Sequence, residues 1–296
     1  MLNELIIKLL PVVPKPIIRY FANNYIAGET IDEAFEKTQK VLDKGAHITL
    51  DVLGEYVTSK DQTLKDMRIR LDVIDRIAST EKNITQSIKL TSLGLGLDDL
   101  FAYDNTKQIV KHANENNVFI QFDMEDSPFH DKTIQFYKDL REEGFENIGL
   151  VFQSYMRRAE NDILSLIDYK PTLRLTKGIY IEPENIAFKT HEEINLNYQN
   201  LLHIMLDNDM KVGMATHDEE LIQYCISQIE QRNLTEDNYE FQMLLGVRED
   251  KRDELISAGH PLRVYISFGK DWYGYSIRRF KENPKVAGHV FKAIFS

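Results

Sequence analysis

The sequence predicts an α/β fold, a (β/α)8 barrel of the TIM type. Three observations predict it: eight short apolar, β-rich runs, long amphipathic segments between them, and no linker dividing the chain. The runs are HITLDVL, QSIKLTSL, NVFIQFDM, NIGLVFQS, TLRLTKG, KVGMATHD, EFQMLLG and RVYISFG. At 296 residues the chain has room for one such barrel, which typically takes about 250. A doubly wound open sheet is the alternative. It lacks its signature here, because GLGLDD after the second run misses the third glycine of a dinucleotide-binding turn.

Taken in order, the N-terminal run LIIKLLPVVPKPIIRYF is apolar. Lys8, three prolines and Lys15 interrupt it well short of the roughly 20 apolar residues of a spanning helix. It is expected to be neither a span nor a signal peptide; residues 1–44 are read as a helical arm docking on a barrel of residues 45–296. Within that arm a helix is predicted over Ile31–Leu42, opened by Thr30 as N-cap. Segments such as DQTLKDMRIRLDVIDRIAS, DDLFAYDNTKQIVKHANEN and EEINLNYQNLLHIMLDND are long enough to return the chain for a parallel strand. Near the C-terminus DWYGYSIRRF continues as a helix on which Tyr275, Arg278, Arg279 and Glu282 share one face. That face suits an anion, or else is a solvated surface with an Arg278–Glu282 ion pair.

Composition narrows the function. Acidic residues number 47 against 36 basic ones, a net charge of −11, which disfavours nucleic acid as a partner. Cys225 is the only cysteine, so an internal disulfide and a cysteine-based metal cluster are excluded, and a reducing, cytoplasmic setting is expected. No two-histidine pair or similar ligand group is visible, and no metal is expected.

Barrel enzymes place their chemistry at the C-terminal ends of the strands. The polar residues there are Asp51, Glu55, Lys89, Asp123, Gln153, Arg174, Lys177, Thr216, His217, Gln242 and Tyr265. Polar side chains inside a narrow barrel are costly unless paired or serving a ligand. Lys89, Arg174 and Lys177, with Arg278 and Arg279, make a pocket for two anionic or electron-rich groups, balanced by Asp123, Glu55 and Glu282. On these residues alone a Schiff-base lyase using Lys177 or Lys89, and a non-catalytic anion-binding protein, both stay open.

The ordered set SIKLTSLG, FDMED, VFQSY, RLTKGIYIEP, GMATHD, EFQMLLGVR and VYISFGKDWYGYSIRRF resembles the flavin-dependent proline dehydrogenases, in particular the monofunctional bacterial form, from about Asp51 to Glu282. The resemblance implies a distorted barrel that carries FAD, with the last helix over its mouth, and oxidation of L-proline to Δ1-pyrroline-5-carboxylate by hydride transfer to flavin N5. Residue by residue, it implies that Lys89, Arg278 and Arg279 clamp the proline carboxylate and that Leu244, Tyr265 and Tyr275 wall the ring. Asp123 matches an active-site aspartate that orients Lys89, Arg174 matches the arginine at the reactive flavin edge, and Glu55 pairs with Arg278 when the site is empty. The implied FAD contacts are Met124, Gln153, Lys177, Gly178, Ile179, Thr216 and His217. Ile179 stands where the family often has alanine, and Leu245 where an aromatic residue or histidine is common. Tyr265 stands where relatives that prefer hydroxyproline carry a smaller residue, which favours proline. A membrane quinone as electron acceptor, a partner pyrroline-5-carboxylate dehydrogenase, and peripheral contact with the inner face of the membrane are further implications.

Overall fold

The computed structural model describes residues 15–80 and 83–282; Ile17, Phe21 and residues 278–282 are described by backbone alone. The first residues of the expected arm, 1–14, lie outside the described residues. Eight parallel strands close into a barrel in chain order. They are β1 (His47–Val52), β2 (Ile84–Ile88), β3 (Ile120–Phe122), β4 (Ile148–Gln153), β5 (Thr172–Thr176), β6 (Lys211–Ala215), β7 (Tyr239–Leu244) and β8 (Leu262–Phe268). Closure comes from pairing of β8 with β1, which sets Thr49 beside Tyr265 and Asp51 beside Ser267.

Ten α-helices are described. Two precede the barrel, α1 (Lys15–Ala22) and α2 (Ile31–Leu42). Thr30 caps α2 in a capping box with Glu33: its side chain accepts from the Glu33 amide while the Glu33 carboxylate takes the Thr30 amide. The outer layer is α3 (Lys60–Ala78), α4 (Asp99–Glu115), α5 (Ser127–Glu142), α6 (Ala159–Leu164), α7 (His191–Asp207), α8 (Glu219–Arg232) and α9 (Glu249–Ser257); α10 (Trp272–Glu282) follows the last strand. Side chains such as Ile48, Leu50, Ile88, Phe122, Leu150, Val212 and Val264 are fully buried in one continuous core. The second period of each strand is therefore left for the barrel interior, where the polar residues sit.

A smaller apolar cluster joins the two ends of the chain. Ile18 and Ala22 of α1 meet Tyr25, Ile26, Leu53 and, from α10, Tyr275 and Ile277. Arg19 lies 4.7 Å over the Trp272 ring and Lys15 5.5 Å over that of Tyr273, and Arg19 also binds Glu29 at 3.0 Å. Ile26 forms a parallel bridge with Ser267 beside β8. These contacts seat α10 against the barrel mouth. No helix among the described residues is long and apolar enough to cross a membrane.

One strand ends sooner than its sequence pattern. The run QSIKLTSL reads as continuous β structure, yet β2 stops at Ile88 and Leu90–Leu93 forms a 3-10 turn. The cause is local satisfaction of the backbone by side chains. The Thr91 amide and hydroxyl both donate to the Glu125 carboxylate, the Ser92 hydroxyl donates to the Lys89 carbonyl, and Gly94 closes the turn at φ +104. Lys89 thus stands on the strand terminus rather than within the strand.

Candidate active site

The C-terminal ends of the strands surround a cavity of about 800 Å³. Every site residue expected from the sequence whose side chain is described lines it: Glu55, Lys89, Asp123, Met124, Gln153, Arg174, Lys177, Gly178, Ile179, Thr216, His217, Leu244, Tyr265 and Tyr275. The side chains of Arg278, Arg279 and Glu282 lie outside the described residues, and the expected pairing of Glu55 with Arg278 lies there with them; the α10 backbone carries all three positions. Leu245 is buried in the core and is absent from the cavity wall.

Asp123 is the electrostatic centre. It follows β3, and both its oxygens are committed. Oδ1 accepts from Ser87 Oγ at 2.6 Å and from Arg174 Nη1 at 2.8 Å, while Oδ2 accepts from the Tyr265 hydroxyl at 2.6 Å and lies 3.5 Å from Lys89 Nζ. Burial alone would raise its pKa, but Lys89 and Arg174, then the two hydroxyl hydrogen bonds, outweigh it and hold the carboxyl below its ordinary range. Three hydrogen bonds and two neighbouring cations hold the carboxylate ionised and fixed in place. Asp123 is therefore a brace for cations.

Lys89 is braced from two sides, with Asp51 Oδ1 at 3.0 Å in addition to Asp123. Burial would push its pKa down, yet Asp51, Asp123 and Glu55 outweigh that and raise it, so the ammonium stays charged. Asp51 is held in turn by Ser267 Oγ at 3.1 Å, as the β1–β8 register requires. Arg174 lies with its guanidinium 5.1 Å from the Tyr265 ring centre, and its Nε donates to Gln242 Oε1 at 2.5 Å.

The opposite wall is less charged. Gln153 donates through Nε2 to the Met124 carbonyl at 3.0 Å, while its Oε1 is buried with the His130 ring as its neighbour. Gly178 has φ +105, and a Cβ there would fall 2.2 Å from the Tyr155 ring, so the backbone lies against that ring as only glycine allows. Lys177 Nζ binds Asp218 at 2.8 Å. Asp218 also accepts from Asn195 and contacts His191; although burial opposes it, these partners bring its pKa down to about 2. His217 Nε2 accepts the Leu244 amide at 2.9 Å, which ties β7 to the loop after β6 and commits that nitrogen to the wall itself.

Sequence reasoning picked out Asp51 and Gln242 as polar strand ends but gave them no role. It passed over Tyr25, Tyr180 and Asp218 of the lining and Ser87 and Glu125 behind it. Tyr180 sits in an irregular stretch without periodicity, and only its place inside RLTKGIYIEP marked it. Among the described residues no group of three His, Cys, Asp or Glu side chains is placed to hold a metal.

A family model described as proline dehydrogenase matches residues 34–292. The chain belongs to the proline dehydrogenase family. Among curated relatives, proline dehydrogenase 1 of Bacillus subtilis (strain 168) is 34% identical over 276 residues, spanning 93% of this chain and 91% of the relative. Proline dehydrogenase of Deinococcus radiodurans is 34% identical over 279 residues, 92% of this chain and 89% of its own. Among solved structures, proline utilization A from Bdellovibrio bacteriovorus, inactivated by N-propargylglycine, matches with a TM-score of 0.83 at 24% identity, over 90% of this chain and 33% of that one. That likeness shows the shared barrel. For a proline dehydrogenase, the cation cluster of Lys89 and Arg174 around Asp123 is the feature that needs a chemical account.

Proposed function

We propose that this chain oxidises L-proline to Δ1-pyrroline-5-carboxylate, the first step of proline catabolism, with FAD held in the strand-end cavity. The observation that carries the reading is a fixed cation pair, Lys89 and Arg174 on one carboxylate, in the wall of a strand-end cavity of about 800 Å³. The donor set suits a flavin. Met124, Gln153 and the Gly178 backbone line one side of the cavity, and Thr216, His217 and Lys177 line the side where a polar tail would lie. Bound FAD would supply the hydride acceptor that no side chain can replace.

The protein supplies placement and field. Lys89, kept cationic by Asp51 and Asp123, is a point charge for the substrate carboxylate, and Arg278 and Arg279 on the α10 backbone are proposed to complete that clamp. Leu244, Tyr265 and Tyr275 bound the space left for the pyrrolidine ring. Fixing the carboxylate selects which ring carbon faces the cofactor, an orientation effect worth several kcal/mol and up to roughly 7–11 kcal/mol in the best cases. Arg174 favours electron density gathered on its side of the cavity. The substrate amine must be unprotonated to release hydride, so turnover is expected to rise with pH. Residues 1–44 are proposed to act as an arm that buttresses α10, as the Ile18–Tyr275 cluster supports. A membrane quinone is proposed as the electron acceptor and a separate pyrroline-5-carboxylate dehydrogenase as the consumer of the product.

The test is an absorption spectrum of the purified protein followed by anaerobic addition of L-proline. A flavin spectrum that bleaches supports the reading. A protein that binds no FAD when it is supplied, or a flavin that L-proline leaves oxidised, sinks it.

A further inference from the structure

Three strands cooperate to hold Arg174, and the middle one does so by having no side chain. Arg174 on β5 is in register with Gly213 on β6, which is in register with Glu240 on β7. A Cβ at Gly213 would lie 2.3 Å from Gln242 Nε2. The gap lets the Gln242 side chain lie across β6 and reach Arg174 Nε at 2.5 Å. With Nη1 on Asp123 at 2.8 Å, the guanidinium is gripped along two of its edges.

The amide of Gln242 has only one workable orientation. Its Nε2 donates to Glu240 Oε1 at 2.7 Å, and the same oxygen accepts from Arg263 Nε at 2.6 Å. Turning the amide over would set its oxygen against a carboxylate and its N–H groups against a guanidinium, two repulsive contacts in a buried site. Burial would raise the Glu240 pKa, but Arg263 and the hydrogen bond from Gln242, with His47 3.6 Å away, bring it down to about 2, so the carboxylate that aims the amide is charged. The chain of contacts runs down the barrel axis. Arg174 and Gln242 line both the strand-end cavity and a second one of about 510 Å³ at the opposite end, where Glu240 and Arg263 stand.

We propose that Gln242 is a positioning residue for the reaction: oriented by Glu240 through the opening that Gly213 leaves, it holds Arg174 at the cavity edge where reduced flavin is stabilised. The proposal rests on the reading of the cavity as an FAD and proline site. Removing the amide oxygen frees the Nε end of Arg174 to tilt toward Asp123, and the cation then serves the reduced cofactor less well.

The experiment compares Gln242→Leu and Gly213→Ala with the parent holoenzyme for flavin midpoint potential, kcat and KM for L-proline, and Tm. Gln242→Leu is expected to bind FAD, to lose roughly tenfold in kcat with KM changed less than threefold, and to lower the potential by about 30 mV, which is a tenfold loss in stabilisation of the two-electron-reduced form. Gly213→Ala, which displaces Gln242 without altering the chemistry of either partner, should shift the potential the same way by a smaller amount. A potential and kcat equal to the parent in a folded Gln242→Leu enzyme overturn the proposal, even if Tm falls. Should that variant not fold, Gly213→Ala decides alone, and an unshifted potential overturns it. A parent protein that L-proline cannot bleach refutes the underlying reading, whereas a parent that bleaches beside unaffected variants refutes only the role of Gln242.

Discussion

The Tyr265 hydroxyl donates to Asp123 Oδ2 at 2.6 Å, joining β8 to the end of β3 across the barrel interior. The same tyrosine presents its ring to Arg174, so one side chain touches both members of the central ion pair. Shape and charge at this site are consequently inseparable: a change that opens room beside the ring also releases the carboxylate.

Tyr265→Ser is expected to lower kcat/KM for L-proline by one to two orders of magnitude while improving 4-hydroxyproline relative to proline. It removes both the ring wall and the hydrogen bond to Asp123, and adds space. Steady-state kinetics with both substrates check this, and an unaltered preference takes Tyr265 out of the ring wall.

Asp123→Asn should be more damaging, since it leaves Lys89 and Arg174 facing an amide. Breaking a buried pair by removing one partner costs about 3–5 kcal/mol. The expected outcome is a loss of 100-fold or more in kcat/KM. There is also a pH signature. The folded carboxyl has a pKa below its unfolded value, so its contribution to stability is present above the unfolded carboxylate range and is lost as pH falls through the folded pKa. Thermal melts from neutral pH into acid should fall less steeply for the variant than for the parent.

Lys89→Met is expected to raise KM for L-proline at least tenfold with a smaller change in kcat, because the ammonium serves carboxylate binding rather than hydride transfer. Loss of the cation also strands Asp51, whose other partner is the neutral Ser267 hydroxyl. Equal KM values for parent and variant would remove Lys89 from the clamp.

Glu125 gives a stability prediction of opposite sign. It is buried behind Lys89, and although Thr91 donates to it twice, burial lifts its pKa from 4.5 to about 7. A folded pKa above the unfolded one makes the group most favourable to folding below the unfolded value, and that advantage disappears as pH rises toward 7. Glu125→Gln should therefore flatten the decline of Tm between about pH 5 and 8, with a gain on the order of 5 °C at the alkaline end. A decline as steep as that of the parent would show that the carboxyl ionises without penalty.

The strands were legible because each lies in a short apolar, β-rich run, a pattern carried by neighbouring residues. The Thr30 cap and the span Ile31–Leu42 were legible for the same reason, since cap and partner are three residues apart. Lys89 was found but misplaced, because the turn at Leu90–Leu93 depends on Glu125, 34 residues away. Gln242 was visible as a polar strand end, and its partner was not.

The order of apolar and polar residues along the chain by itself determined the barrel, its eight strands and the family, because hydrophobic periodicity and motif order are properties of consecutive residues. Only the tertiary structure decided that Asp123 gathers Lys89, Arg174, Ser87 and Tyr265, that Asp51 shares Lys89, and that Gly213 opens a path for Gln242. Those pairings follow from strand register and barrel closure, which bring side chains up to 216 positions apart within hydrogen-bonding distance, and no local pattern encodes which inward-facing charges will meet.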